Sequence, residues 1–203
     1  MADTVFFGGT FNPPHLAHRL MLEAVADLEN VERILVVPTN IPPHKAKAEY
    51  TASSEDRLNM CRLLLSGIDK ATVSDMEIKR GGKSYSFDTL SELKPIYPKL
   101  MMVIGGDMIT SFTSWFRYKD ILKLCGILAV RRPGTEDDEF DRAVEGLRLD
   151  GGQVTVIEAE MPDISSTELR NALSNGGDEM CRLIPENILE KINKKGLYIG
   201  DGK

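Results

Sequence analysis

Two histidines and a pair of glycines lie close together near the N-terminus, where they could bind an anion. Residues 7–18 read FGGTFNPPHLAH, and His15 and His18 are three residues apart. That spacing places both imidazoles on one face of a helix. Glycines between a strand and a helix let a phosphate approach the backbone beside helix N–H groups that attract anions. The alternative is a tight turn with two surface histidines, but their helical spacing favours an anion site.

A second candidate phosphate site lies in the C-terminal third, where residues 164–170 read ISSTELR. Ser165 or Ser166 is expected to cap a helix whose first-turn N–H groups and hydroxyls point outwards. Arg170 lies one turn further along. A helix N-terminus, hydroxyls and a guanidinium together bind phosphate well. The alternative is that these residues and Glu168 form only a well-capped helix.

Short apolar runs alternate with helical patterns along the chain, which is typical of a parallel sheet covered by helices on both faces. Strands are predicted at residues 4–7, 33–37, 71–74, 100–104, 126–130 and 153–157. A stripe of Leu16, Leu20, Ala24 and Leu28 predicts the first helix. Further helices are predicted at 54–66 and 86–97, capped by Ser53 and Ser86, and at 115–124, 136–149, 166–173 and 185–193. We expect a single α/β domain over residues 1–203, with the C-terminal helices packed on the sheet.

Composition excludes several classes of protein. Hydrophobic residues make up 42% of the 203 residues and charged residues 28%, which excludes a disordered or fibrous chain. The net charge of −6 argues against binding of nucleic acid polymers by bulk charge. No apolar run approaches the roughly 20 residues of a membrane span, and no signal peptide is recognised. Three widely spaced cysteines indicate free thiols in a reducing compartment, so a cytoplasmic location is expected.

These motifs resemble those of a known family. Residues 8–18 resemble the GTFDPxHxGH signature of the nucleotidylyltransferase superfamily, and residues 164–170 resemble its ISSTxxR motif. More narrowly, the chain resembles bacterial nicotinate-mononucleotide adenylyltransferases from Val5 to about Ile188. The narrower resemblance depends on the doubled glycine, PPHK at 42–45, SYSFDTL at 84–90, IGGD at 104–107 and Trp115. The sequence departs from the family pattern by Asn12 in place of Asp, Ala17 in place of Gly and Ser86 in place of Thr.

The resemblance implies a Rossmann-like, doubly wound parallel sheet and the transfer of AMP from ATP to nicotinate mononucleotide. The products would be the deamido dinucleotide and pyrophosphate, in NAD biosynthesis. Such a displacement needs in-line placement of two anions and neutralisation of developing charge, with little covalent help from the protein. His15, His18 and Arg170 are the expected catalytic residues. Mg²⁺ is expected to arrive with ATP, because the sequence has no carboxylate cluster that would bind it alone.

The resemblance also assigns the two substrates to separate sets of residues. The expected ATP-binding residues are Gly8, Gly9, Thr10, Phe11, Gly105, Asp107, Ile164, Ser165 and Ser166. Those expected to bind nicotinate mononucleotide are Asn12, Thr39, His44, Lys45, Tyr85, Ser86, Trp115 and Arg132. Alternatives remain open: Asp107 could simply cap a strand end, Trp115 could belong to the core, and His44, Lys45 and Arg132 could be solvated surface residues.

Rival functions come from two classes. Phosphopantetheine adenylyltransferase shares the first signature but is usually shorter and lacks the Gly-Gly start and the tryptophan segment. A nucleotide-binding regulator could keep the fold without turnover, although the two histidines and Arg170 argue against it. A tRNA synthetase is excluded because the chain has no room for an anticodon-binding domain. The sequence leaves the oligomeric state open, a homo-oligomer included.

Overall fold

Six parallel strands form one sheet in the computed structural model, which describes residues 4–43, 52–131, 138–176 and 179–198. The strands are β1 (Thr4–Gly9), β2 (Arg33–Pro38), β3 (Ala71–Val73), β4 (Leu100–Gly105), β5 (Gly126–Arg131) and β6 (Val154–Glu158). Their order across the sheet is β3-β2-β1-β4-β5-β6, and all neighbouring pairs are parallel. The order reverses between β1 and β4, where sheets of this type bind ligands.

Helices connect the strands and cover both faces of the sheet. They are α1 (Leu16–Ala26), α2 (Ser54–Leu64), α3 (Met76–Arg80), α4 (Ser86–Leu93), α5 (Gly106–Ile109), α6 (Tyr118–Leu124), α7 (Asp138–Leu149), α8 (Ser166–Ser174) and α9 (Glu186–Lys195), with 3₁₀ turns at Phe112–Ser114 and Glu179–Leu183. No helix in these described ranges combines the length and apolar character needed to cross a bilayer.

Alternate residues of the central strands supply the two cores. In β1, Val5 and Phe7 pack with α1, α2, α8 and α9, whereas Phe6 packs on the opposite face with α4, α6 and α7. Because both faces are covered, these strands are apolar along nearly their whole length. The predicted fold class, a doubly wound parallel sheet with the C-terminal helices packed on it, is confirmed.

The predicted stripe of the first helix is wrong. The buried residues of α1 are Ala17, Met21, Leu22 and Val25, and the helix ends before Leu28. A strict four-residue spacing advances about 40° round the helix at each step, so it drifts away from any one face. The leucines of the predicted stripe are therefore only half-buried beside the true packing face.

Two capping predictions have different outcomes. The Ser53 hydroxyl accepts a hydrogen bond from the Asp56 N–H at 3.0 Å, so the cap of α2 is confirmed. Ser86 is instead the first residue of α4, and Tyr85 precedes it without a side-chain capping bond. That prediction is wrong, and α4 ends at Leu93 rather than near Tyr97. The short helices α3 and α5 were not predicted, since a few residues are too short to show a helical period.

Candidate active site

A cavity of about 870 Å³ opens at the carboxyl ends of β1 and β4, where the strand order reverses. It is lined by sixteen of the residues that the sequence predicted, from both motifs and from the segments between them. They are Gly8, Gly9, Thr10, Phe11, Asn12, His15, His18, Thr39, Tyr85, Ser86, Gly105, Trp115, Ile164, Ser165, Ser166 and Arg170. His44, Lys45, Arg132 and the Asp107 side chain lie outside the described residues.

Aromatic rings beneath the β1–α1 loop explain its two glycines. A Cβ atom at Gly8 would lie 2.5 Å from the Cζ of Phe6, and one at Gly9 would lie 2.9 Å from the Cζ of Phe11. Phe11 adopts a φ of 51°, which is uncommon for a bulky residue, and its ring packs edge-on against Phe7. The glycines therefore allow close ring packing as well as ligand approach to the backbone.

The two histidines contact each other at the start of α1. The N–H of His15 donates to Nδ1 of His18 at 3.2 Å, and the ring centroids are 3.7 Å apart. Since Nδ1 of His18 accepts this bond, its proton must lie on Nε2, which leaves Nε2–H as a donor.

Burial keeps both imidazoles neutral at pH 7. It lowers the pKa of His15 to about 4, against a smaller opposing effect of Glu168. Burial, followed by the neighbouring His15, also holds the pKa of His18 well below its ordinary 6.5. The histidines are therefore neutral hydrogen-bonding groups, and fixed positive charge in the cavity lining comes from Arg170, from Arg131, which is paired with Asp141, and from the helix N-termini.

The hydroxyls of the second motif are used within the protein. Ser165 and Glu168 form a capping box, in which the Ser165 N–H donates to Glu168 Oε2 at 2.8 Å and the Glu168 N–H donates to Ser165 Oγ at 3.2 Å. The Ser166 hydroxyl donates to the Pro13 carbonyl at 2.9 Å. The Ser166 hydroxyl, which was expected to point outwards, is instead directed at the loop, whereas Ser165 is exposed and its hydroxyl closes the capping box. The N–H groups of Ser166 and Thr167 are the donors that such a helix start offers a ligand.

Arg170 joins the two motifs. One guanidinium nitrogen, Nη1, donates to the Asn12 carbonyl at 2.8 Å and to the Ser166 carbonyl at 3.1 Å. The other, Nη2, donates to the Thr167 hydroxyl at 3.1 Å. With their partners among the described residues, these bonds use three of the five guanidinium N–H groups, so two remain for a phosphate.

Several residues that support the site were missed by sequence reasoning. Arg57 is 2% exposed, and it donates to the Thr10 carbonyl at 2.9 Å and to the Asn40 carbonyl at 3.1 Å. Tyr198, near the C-terminus, donates to Asn12 Oδ1 at 2.7 Å. The only signal for Arg57 is a charge among the apolar positions of α2, and Tyr198 has no local signal.

A buried carboxyl lies beside the start of α4. Glu77 lines the cavity, and its Oε1 accepts a hydrogen bond from the Thr89 hydroxyl at 2.5 Å. Burial raises the pKa of Glu77, with hydrogen bonds from Thr89 and Ser84 opposing the shift. Ser84 also accepts from the Asn40 N–H at 2.8 Å. The short helix that carries Glu77 has no sequence signal of its own, whereas Ser84 begins the SYSFDTL segment.

Trp115 belongs to both the cavity wall and the core. It is half-buried, packs against Phe112 with ring centroids 5.1 Å apart, and lines the cavity. Its neighbour Phe116, also missed, packs against Tyr85 at 4.7 Å. The aromatic residues thus form one wall near the N-terminus of α4.

No group of three or more His, Cys, Asp or Glu side chains that could hold a metal ion occurs within the described ranges. Arg170 and the N–H groups at the start of α8 are hydrogen-bond donors, which suit phosphate oxygens.

The strand order, the glycine-histidine loop and the serine-capped helix docked on it define a nucleotidyltransferase-type α/β protein. Residues 6–172 match the model of the cytidylyltransferase-like family. A "Probable nicotinate-nucleotide adenylyltransferase" of Geobacillus thermodenitrificans is 34% identical over 202 residues, which cover 98% of this chain and 87% of the relative. A relative of the same name in Geotalea daltonii is 37% identical over 213 residues, which cover 97% of each chain. The chain therefore belongs to the nicotinate-nucleotide adenylyltransferase family.

Solved structures of similar fold include a Plasmodium falciparum nicotinic acid mononucleotide adenylyltransferase complexed with NaAD. It has a TM-score of 0.81 and 20% identity, with 98% of each chain covered. The same enzyme complexed with APC has a TM-score of 0.78 and 19% identity, again over 98% of each chain. At this level of identity the likeness shows the fold.

Proposed function

We propose that this protein transfers AMP from ATP to nicotinate mononucleotide, giving nicotinate adenine dinucleotide and pyrophosphate in NAD biosynthesis. The observation that carries the proposal is the docking of the ISSTELR helix on the β1–α1 loop. Arg170 and Ser166 donate to the carbonyls of Asn12 and Pro13, more than 150 residues away in sequence. One cavity thereby holds both family motifs.

The reaction joins a phosphate oxygen of nicotinate mononucleotide to the α-phosphorus of ATP and breaks the bond to the β-phosphate oxygen. No protein nucleophile is needed, so the chain acts by placement and by electrostatic stabilisation. His18 Nε2–H is the donor for charge that develops between the α- and β-phosphates. The two remaining N–H groups of Arg170 and the start of α8 bind the outer phosphates. The site thus supplies donors where negative charge accumulates.

The two substrates are assigned to separate sets of residues. ATP contacts the glycine loop (Gly8–Phe11), Gly105 at the end of β4, Asp107 in α5, and residues 164–166. Nicotinate mononucleotide contacts Asn12, Thr39, the start of α4 and Trp115, together with His44, Lys45 and Arg132. Mg²⁺ arrives bound to the phosphates of ATP and adds positive charge there.

Further parts of the proposal concern the whole chain. Residues 1–203 form one nucleotidylyltransferase domain that acts on small nucleotides rather than on nucleic acid polymers. Cys61, Cys125 and Cys181 are free and buried, which supports a reducing, cytoplasmic environment. The oligomeric state is left to direct measurement.

Product analysis tests the reaction. The protein is incubated with ATP, Mg²⁺ and either nicotinate or nicotinamide mononucleotide, and the products are identified by chromatography and mass spectrometry. Nicotinate adenine dinucleotide and stoichiometric pyrophosphate are expected with the acid. Formation of neither dinucleotide would remove the nicotinate-nucleotide adenylyltransferase assignment. In that case a third incubation, with ATP, Mg²⁺ and 4′-phosphopantetheine, tests the rival transferase, which would form dephospho-coenzyme A.

A further inference from the structure

The C-terminal segment reaches the substrate cavity through one buried hydrogen bond. The Tyr198 hydroxyl donates to Asn12 Oδ1 at 2.7 Å, across 186 positions of sequence. Tyr198 is 3% exposed and Asn12 is 2% exposed, so water does not compete for this bond. Asn12 also lines the cavity. A residue just beyond α9 is thus connected directly to the ligand-binding loop.

This hydrogen bond fixes which atoms Asn12 presents. A carboxamide has one oxygen that accepts and one nitrogen that donates twice. With Oδ1 occupied by the tyrosine hydroxyl, Nδ2 is left to donate, and it donates to no partner among the residues that the structure describes. Because Asn12 lines the cavity, a ligand oxygen there is the expected partner of this donor.

The tyrosine itself is firmly held. It follows Gly196, which ends α9 in the left-handed region, and the Leu197 N–H donates to the Ile192 carbonyl at 3.0 Å. Lys195 forms an ion pair with Asp56 of α2, beside the Arg57 that holds the Thr10 carbonyl. Burial raises the pKa of Tyr198, so its hydroxyl remains a donor throughout the physiological range.

We propose that Tyr198 is a positioning residue, which orients the Asn12 carboxamide so that Nδ2 donates to the phosphate of nicotinate mononucleotide. This rests on the proposed function and adds a residue outside both motifs. The family pattern has Asp at position 12, whose carboxylate only accepts hydrogen bonds, so the carboxamide of this chain adds a donor at that place.

A double-mutant cycle tests the proposal. Affinity for nicotinate mononucleotide is measured by calorimetry in EDTA, without ATP, for the wild type, Tyr198→Phe, Asn12→Ala and the double variant. Tyr198→Phe should weaken binding about 5- to 10-fold, as expected for one hydrogen bond, and Asn12→Ala about 10-fold or more. In the Asn12→Ala background, Tyr198→Phe should add less than about twofold, since it acts through the missing side chain.

Steady-state kinetics separate positioning from general loosening of the structure. Tyr198→Phe should raise KM for nicotinate mononucleotide and leave KM for ATP within about twofold. Tyr118→Phe is the matched control, because it removes a hydroxyl that donates to Asp150 away from the cavity, and it should behave as wild type. Wild-type affinity in Tyr198→Phe, an equal loss of ATP affinity, or additive effects in the cycle would overturn the proposal.

If Tyr198→Phe is too unstable to assay, Asn12→Asp carries the test. It keeps an acceptor for the tyrosine hydroxyl but replaces both N–H donors with a carboxylate oxygen, so affinity in EDTA should fall at least about 10-fold. Unchanged affinity would overturn the proposal. Failure of the proposed function would look different, because then the wild type itself would neither bind nicotinate mononucleotide nor form the dinucleotide.

Discussion

His18 shows how burial sets the chemistry of a single residue in this site. Its Nδ1 is occupied by the His15 N–H, and burial keeps the ring neutral, so Nε2–H is its one donor to a ligand. An arriving phosphate favours the charged form and raises the pKa of the ring. If His18 has the proposed role, we expect it to respond to charge that grows as the bond between the α-phosphorus and the β-phosphate oxygen breaks.

His18→Ala should lower kcat about 10²- to 10³-fold and raise KM for ATP much less, because the lost donor acts mainly on charge of the transition state. His18→Asn is the matched control, since its side-chain oxygen can still accept from the His15 N–H while the Nε2 donor is lost. We expect both variants to be similarly slow in steady-state assays. An unchanged kcat with weaker ATP binding would show that His18 only holds the ground state.

Stability at low pH should report the burial of His15. Its pKa of about 4 lies below the 6.5 of an unfolded histidine, so the unfolded chain binds the extra proton first as pH falls. The stability that the neutral, buried His15 contributes is fully present above pH 6.5 and is lost as the pH falls from 6.5 to 4. Urea unfolding from pH 6 to 4.5 should show a loss about 1 kcal/mol per pH unit steeper in the wild type than in His15→Asn. Equal slopes would contradict the lowered pKa.

At the scale of elements, the site depends on how α8 docks on the β1–α1 loop. The helix start is closed by its own capping box, and Arg170 and Ser166 reach across to backbone carbonyls of the loop. Arg57 of α2 holds the same loop from the other side, through Thr10. Two elements distant in sequence, α8 and α2, thus fix the loop that leads into the start of α1, where the histidines lie.

Arg170→Lys should lower kcat/KM clearly, by about 10-fold or more, because an ammonium lacks the planar fork that contacts the loop and a phosphate together. Arg142→Lys is the control, since Arg142 is exposed, lies outside the cavity lining and, among the described residues, donates to the Asp138 carbonyl within α7. That variant should retain wild-type kinetics. If Arg170→Lys retained them too, the arginine would serve only to dock the helix.

At the scale of the whole molecule, the cavity wall combines the start of α4 with the segment between α5 and α6. Tyr85 precedes α4 without a side-chain capping bond, so the first N–H groups of the helix can face a ligand. Trp115 lines the cavity close by in the fold, although it is 30 positions away in sequence. This wall offers donors beside an aromatic surface.

Nicotinate mononucleotide should therefore be preferred over the amide, because the N–H donors at this helix start suit a carboxylate, which only accepts hydrogen bonds. The helix dipole adds to the preference. Trp115→Ala should reduce kcat/KM for the acid more than it changes KM for ATP, since the ring fixes the plane of the pyridine. Equal kcat/KM values for both mononucleotides in the wild type would remove the nicotinate assignment.

Sequence patterns predicted the elements best where burial is continuous. The strands around residues 4–7, 100–104 and 126–130 were placed within a few residues, because a strand covered on both faces must be apolar throughout. The first helix was recognised, but its buried face was misplaced, since its leucines and alanines lie on more than one side. The cap at Ser86 failed because a serine near a helix start does not specify which residue begins the helix.

The sequence by itself determined the fold class, the family and sixteen of the residues that line the cavity, since these follow from local patterns and short motifs. Only the tertiary structure decided the hydrogen-bond partners and the protonation of those residues. It showed that the hydroxyls of Ser165 and Ser166 are occupied within the protein and that both histidines are neutral. It also brought Tyr198 onto Asn12. Burial and long-range hydrogen bonds depend on which atoms meet in space, and no local pattern of residues encodes that.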